Sequence, residues 1–107
     1  MNENEQYCKN IADELKAIYN GDITNEDNEP MTLYDYFSDV LDFEYTITSQ
    51  KEYKSVKVFV TLGGPNVWID TSDAYVRLAW GSSCEEYPIS YEVSDEIDSI
   101  FEEYYNM

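Results

Sequence analysis

Apolar residues recur along the first twenty positions at the spacing of an amphipathic helix. Tyr7, Ile11, Leu15 and Ile18 share one side, and Lys9, Asp13 and Lys16 share the other. This spacing predicts a helix from Glu3 to Asn20 that Gly21 stops. Residues 22–30 hold four carboxylates, two asparagines and a proline with little to bury, which is a loop composition. A second helix is expected from Leu33 to Asp42. Thr32 and Asp35 resemble a capping box with Asp in place of Glu, and Leu33, Phe37, Val40 and Leu41 form the inward stripe.

From Phe43 the period changes to two. Phe43, Tyr45 and Ile47 alternate with Glu44, Thr46 and Thr48, and a stronger strand places Val56, Val58, Val60 and Leu62 on one face. Gly63, Gly64, Pro65 and Asn66 mark a turn. Strands over Asn66–Asp70 and Ala74–Gly81 follow, joined through Thr71, Ser72 and Asp73, with Val76, Leu78 and Trp80 facing the core. A short piece at Glu85–Tyr87 is a candidate edge. Ser90 then caps a last helix to Tyr105, whose Val93, Ile97, Ile100 and Tyr104 face inward. The expected architecture is one α+β domain over residues 1–107: two N-terminal helices, a four-stranded antiparallel meander and a C-terminal helix, with the helices on one face of the sheet. The other sheet face should show Lys57, Phe59, Thr61, Tyr75, Arg77 and Ala79.

Charge alters this picture most. The 107 residues carry 23 Asp and Glu against 6 Lys and Arg and no His, a formal charge of -17. Eleven Tyr, two Trp and four Phe separate the chain from acidic disordered sequences, which are poor in aromatics. Cys8 and Cys84 read as reduced thiols of the cytoplasm. The N-terminal residues lack a basic-then-apolar leader pattern, and no apolar run reaches the length of a membrane span. An acidic exterior is repelled by nucleic acid and anionic lipid, so neither is an expected partner. Basic protein surfaces are.

The acids are not evenly spread. On the last helix Asp95, Asp98 and Glu102 form a row opposite the apolar stripe, flanked by Glu92, Glu96 and Glu103, with no base among the fifteen residues. Helix surfaces usually mix signs, because opposite charges three or four apart stabilise and like charges cost a few tenths of a kcal/mol each. Glu102 and Glu103 also sit at the negative end of the helix dipole. Asp35, Asp39 and Asp42 repeat the pattern on the second helix. Neighbouring acids in such rows stand about 5–6 Å apart, comparable with phosphates along a nucleic-acid strand. Tyr34, Tyr36, Tyr91 and Tyr105 lie beside the rows as aromatic contacts.

Reactive constellations are weak by comparison. Carboxylate pairs are too numerous to single one out. Glu85 and Glu86 beside Cys84 raise a thiol's pKa, and no histidine is present to activate it. The acidic loop at Asp22 fails the EF-hand pattern, with Asp27 at the glycine position and Leu33 at the twelfth. Gly63-Gly64-Pro65 lacks the lysine and following helix of a phosphate-binding loop. Trp68 and Trp80 read as core or sheet-face aromatics. No catalytic residue, metal or cofactor is expected, and the chain does not read as an enzyme.

Small acidic, tyrosine-rich chains with carboxylate rows resemble the DNA-mimic inhibitors of phages and mobile elements, of the anti-CRISPR and antirestriction kinds. The resemblance lies in composition and charge layout. Ser55–Trp80 also looks like hypothetical proteins of bacterial mobile elements, to which no defined activity attaches. The carboxylate rows lead to the expectation of a non-enzymatic inhibitor that presents Asp35, Asp39, Asp42, Glu92, Asp95, Glu96, Asp98, Glu102 and Glu103, with Tyr91 and Tyr105, to a nuclease or Cas-type effector, and membership implies that it blocks DNA entry there. Its partner is the basic nucleic-acid channel of that enzyme. The alternatives are an immunity protein that neutralises a basic toxin and a generic acidic interaction domain of a mobile element.

Overall fold

Five strands, rather than four, follow one another across a single antiparallel sheet. The computed structural model describes residues 1–40 and 42–107. In chain order the elements are α1 (Glu3–Tyr19), α2 (Leu33–Phe37), β1 (Asp42–Ile47), β2 (Tyr53–Thr61), β3 (Asn66–Asp70), β4 (Tyr75–Trp80), β5 (Ser83–Pro88) and α3 (Tyr91–Tyr105). The sheet order is β1-β2-β3-β4-β5, an α+β meander. The additional strand is the piece near Glu85–Tyr87, extended to Ser83–Pro88 and paired with β4 in the register Val76↔Tyr87 and Arg77↔Glu86. Gly81, at φ 60°, and Ser82 make the two-residue connection that left-handed backbone allows. The polar composition of β5 hides it from a hydrophobicity pattern.

The inward face carries Val56 and Val58 from β2, Val67 and Ile69 from β3, and Val76 and Leu78 from β4, all buried. Five of these six are β-branched, which suits a pleated, covered surface. α1 lies over β4 and β5, α3 over β2, and α2 touches both long helices. The core is completed by Cys8, Ala12, Leu15 and Ile18 of α1, Leu33 and Phe37 of α2, and Val93, Ile97 and Phe101 of α3. Both long helices are rotated from the expected stripe: Tyr7 and Tyr104 are exposed, Ile11 and Ile100 half-buried. The small residues Cys8 and Ala12 let α1 approach the sheet closely, and Phe101 fills the space that Tyr104 was expected to occupy. Phe43, Ile47, Leu62 and Trp80 are likewise more exposed than the strand pattern predicts.

α2 is five residues long and ends at Phe37, not Asp42. Its capping box is as read: Asp35 N–H donates to Thr32 Oγ1 at 3.1 Å, and Thr32 N–H donates to Asp35 Oδ2 at 3.2 Å. Ser38 Oγ then donates to the Asp35 carbonyl at 2.7 Å, tying a helix carbonyl locally where the next turn would begin. Leu41 of the expected stripe lies outside the described residues.

Candidate functional site

α3 is positioned by one polar cap and one apolar ladder. Ser90 Oγ accepts from the Val93 N–H at 3.2 Å, and Val93, Ile97 and Phe101 recur every four residues against the sheet. Ser94, buried among them, donates to the Thr71 carbonyl at 3.5 Å. Phe101 is held at the far end by Phe37 and Phe43, with ring centroids 5.6 and 5.2 Å away. The helix is therefore fixed along its length, and its outward side presents what remains.

Of the six predicted acids on that side, Glu92, Asp95, Glu96, Glu102 and Glu103 are exposed. Among the described residues Asp95, Glu96, Glu102 and Glu103 have no Lys or Arg within ion-pair distance. Two acids are tied to the fold. Asp98 accepts from the Tyr53 hydroxyl at 2.6 Å and is only partly exposed. Glu92 meets Lys16 of α1 at 3.2 Å and stands in the first turn, where the helix dipole favours it. Tyr91 is 79% exposed, whereas the Tyr105 hydroxyl donates to the Lys51 carbonyl at 2.6 Å and its ring packs edgewise on Tyr45. Tyr91 is thus a free aromatic contact and Tyr105 a structural one.

The second predicted row does not exist as a row. Asp35 belongs to the α2 capping box. Asp39 follows the helix and borders a small cleft with Tyr36, Val40 and Val60. Asp42 opens β1 opposite Phe59, and its carboxylate accepts from the N–H of Phe43 at 2.8 Å. Once α2 stops at Phe37, no helical face remains to align the three.

Sequence reasoning missed one neighbour of the acidic side. Tyr34 of α2 stacks on Tyr104 of α3 with centroids 6.2 Å apart and planes at 12°, and Tyr104 donates from its hydroxyl to that of Tyr34 at 3.2 Å. The pair borders Glu103 and Ile100. Helical spacing puts Tyr104 one turn beyond Ile100 on the inward stripe, and the rotation of α3 brings it to the surface instead.

The uncovered sheet face differs in charge. Arg77 at its centre reaches Asp70 at 3.4 Å, Glu86 at 3.6 Å and both carboxylate oxygens of Asp73. Lys57 stands 5.5 Å over the Trp68 ring, which Phe59 flanks at 6.1 Å. At the end of β4, Trp80 is 55% exposed and lies against Gly64, where an added Cβ would collide with the indole.

Both cysteines are free, and the Cys8 thiol is pushed up to about 11 by burial and by Glu85, Glu5 and Glu86. A thiol held protonated is a poor nucleophile. Asn25 occupies the acidic loop, its Oδ1 accepting from the N–H groups of Asp27 at 2.9 Å and Glu29 at 3.1 Å. Among the described residues no three His, Cys, Asp or Glu side chains cluster as metal ligands, and no helix is long and apolar enough to cross a membrane. No protein family model, curated protein or solved structure matches the chain.

Proposed function

We propose that this protein is a non-enzymatic inhibitor whose α3 surface mimics nucleic acid and occupies a basic DNA- or RNA-binding surface, in the manner of a blocker of a host defence nuclease. The observation that carries this reading is the outward side of α3. Four exposed carboxylates, Asp95, Glu96, Glu102 and Glu103, stand there without a cationic neighbour among the described residues. On the sheet face, by contrast, Arg77 gathers three acids, Asp70, Asp73 and Glu86. A helix of fifteen residues extends about 22 Å, long enough to lie along several phosphate positions of a binding channel. Lys and Arg of such a channel supply the counter-charges that α3 lacks, and association is electrostatically steered and salt-sensitive. Tyr91, beside the row, adds aromatic contact area.

The test is inhibition of DNA-binding nucleases and Cas-type effectors by the wild-type chain and by a variant with Asp95→Lys, Glu102→Lys and Glu103→Lys. Asp98 is left unchanged because it anchors Tyr53. Inhibition is expected to vanish in the variant while its thermal midpoint is retained. Equal inhibition by both proteins removes α3 from the interface. Neutralisation of one basic toxin, with no effect on any nucleic-acid enzyme, converts the reading to an immunity protein.

A further inference from the structure

A cleft of about 320 Å³ lies away from the outward side of α3, where α1, α2 and the end of β2 meet. Tyr7, Ile11 and Glu14 reach it from successive turns of one side of α1, Tyr36 from α2, and Val60 from β2. The floor is apolar, through Ile11 and Val60, and the walls are two tyrosine rings. The Tyr36 ring is held edge-on against Phe37, centroids 5.0 Å apart and planes at 86°, so that wall is preformed. Thr61 also borders the cleft but spends its hydroxyl on the Pro65 carbonyl at 2.8 Å. On the other side of Tyr36 and Val60 a smaller cleft of about 130 Å³ brings in Asp39.

Among the described residues the charges here are all of one sign: Glu14 and Asp39 border the two clefts, and no Lys or Arg lines either. The two lysines of α1 are engaged elsewhere, Lys9 with Asp13 at 2.7 Å and Lys16 with Glu92 at 3.2 Å. Burial, and next the facing Glu14 carboxylate, push the Tyr36 hydroxyl up to about 12, consistent with a partly desolvated, negative environment. An aromatic wall repels anions through the negative face of its ring and attracts cations, and the Glu14 carboxylate in the lining adds to that preference. A concave apolar floor with one convergent charge has the form of a small-molecule or side-chain pocket.

We infer that this Tyr7–Glu14–Tyr36 cleft binds an organic cation, a guanidinium or alkylammonium group that lies against the tyrosine rings and pairs with the Glu14 carboxylate. The group comes either from an Arg or Lys side chain of a protein or from a free polyamine. The site draws on none of the α3 acids.

The experiment is an amide-resolved NMR titration in roughly 0.15 M salt, which screens diffuse attraction to the acidic surface. The probes are a capped Gly-Arg-Gly peptide, its neutral citrulline counterpart and spermidine. Saturable shifts are expected at Tyr7, Ile11, Glu14, Tyr36 and Val60 with the cationic probes, and binding of the citrulline peptide about tenfold weaker. Glu14→Gln and Tyr7→Leu, both at exposed positions, are each expected to weaken binding by about fivefold with unchanged thermal midpoints. The variant with Asp95, Glu102 and Glu103 reversed should keep the cleft's affinity, which separates this site from the inhibitor reading. Tighter binding of the arginine peptide than of spermidine supports the site and makes a protein side chain its ligand. The opposite order supports the site and makes a free polyamine its ligand. Equal response to the citrulline peptide, shifts that follow the α3 acids, or indifference to Glu14→Gln overturns the inference.

Discussion

The outward side of α3 and the open face of the sheet are both solvent-facing, both built on a buried apolar layer, and opposite in how they treat charge. On the sheet, Arg77 sits among Asp70, Asp73 and Glu86, and Lys57 covers Trp68. On α3, Asp95, Glu96, Glu102 and Glu103 face water with no such company among the described residues. The chain therefore gathers three acids around one cation on the sheet face, while four acids of α3 have no cation within ion-pair distance among the described residues. Overall net charge describes neither surface.

Removal of the central cation should give the largest effect. Arg77→Leu leaves Asp70, Asp73 and Glu86 facing one another on a partly buried face, and a loss of about 2 kcal/mol in urea unfolding is expected. A loss below a few tenths would mean that the sheet-face pairing is incidental and the contrast with α3 empty. Next in size is Tyr53→Phe, which deletes the 2.6 Å bond to Asp98 and should cost about 1–2 kcal/mol, whereas Asp95→Asn should cost almost nothing. That pair of values marks where α3 stops serving the fold and starts serving the surface.

The half-buried phenols of Tyr53 and Tyr36 and the buried Cys8 thiol give an alkaline limit. Burial and the Asp98 hydrogen bond raise the Tyr53 hydroxyl, burial and Glu14 push Tyr36 up to about 12 from 10.0, and burial pushes Cys8 up to about 11 from 9.0. Each folded value exceeds the unfolded one, so the stability they contribute is whole below about pH 9 and is lost as pH climbs through 11 to 12. Denaturant midpoints measured from pH 8 to pH 12 should fall over that window. They should fall less steeply in Tyr53→Phe.

Smallest are the effects on α3 itself, and their sign is the informative part. Glu102→Gln with Glu103→Gln removes like-charge neighbours from the negative end of the helix and should raise stability by a few tenths of a kcal/mol. Raising NaCl should lift the wild-type thermal midpoint slightly and that of the double variant less, because screening acts on the repulsion the substitutions have already removed. Destabilisation by the Gln pair would show that these acids serve the fold after all.

Much of the frame was legible before the structure. Alternating Val56 and Val58, Val76 and Leu78 announce strands with one covered face, and Thr32, Asp35 and Ser90 announce two helix starts. The open-face set from Lys57 to Ala79 followed from the same alternation. Long-range pairings were not legible: Lys16 finds Glu92 across 76 positions and Tyr53 finds Asp98 across 45, and neither is written in local spacing. They reduced a six-acid surface to four unpaired acids. Asp39 and Asp42 failed for a local reason, since a helix of five residues has too few turns to carry a row. β5 was faint because Glu85 and Glu86 mask a strand that exists by pairing with β4 rather than by burying side chains. The rotation of α1 came from Cys8 and Ala12, small residues that a pattern weighted toward large side chains passes over.

The position of α3 after the sheet in the chain has a consequence during synthesis. Each hairpin of the meander closes over a short connection, so β1 to β5 can zip in the order they leave the ribosome. Until Val93, Ile97 and Phe101 emerge, the valine face beneath them stays open to whatever is nearby. The helix that carries four unpaired acids outside is also the cover over β2 inside, so its acidic row is in place only where that part of the core is closed.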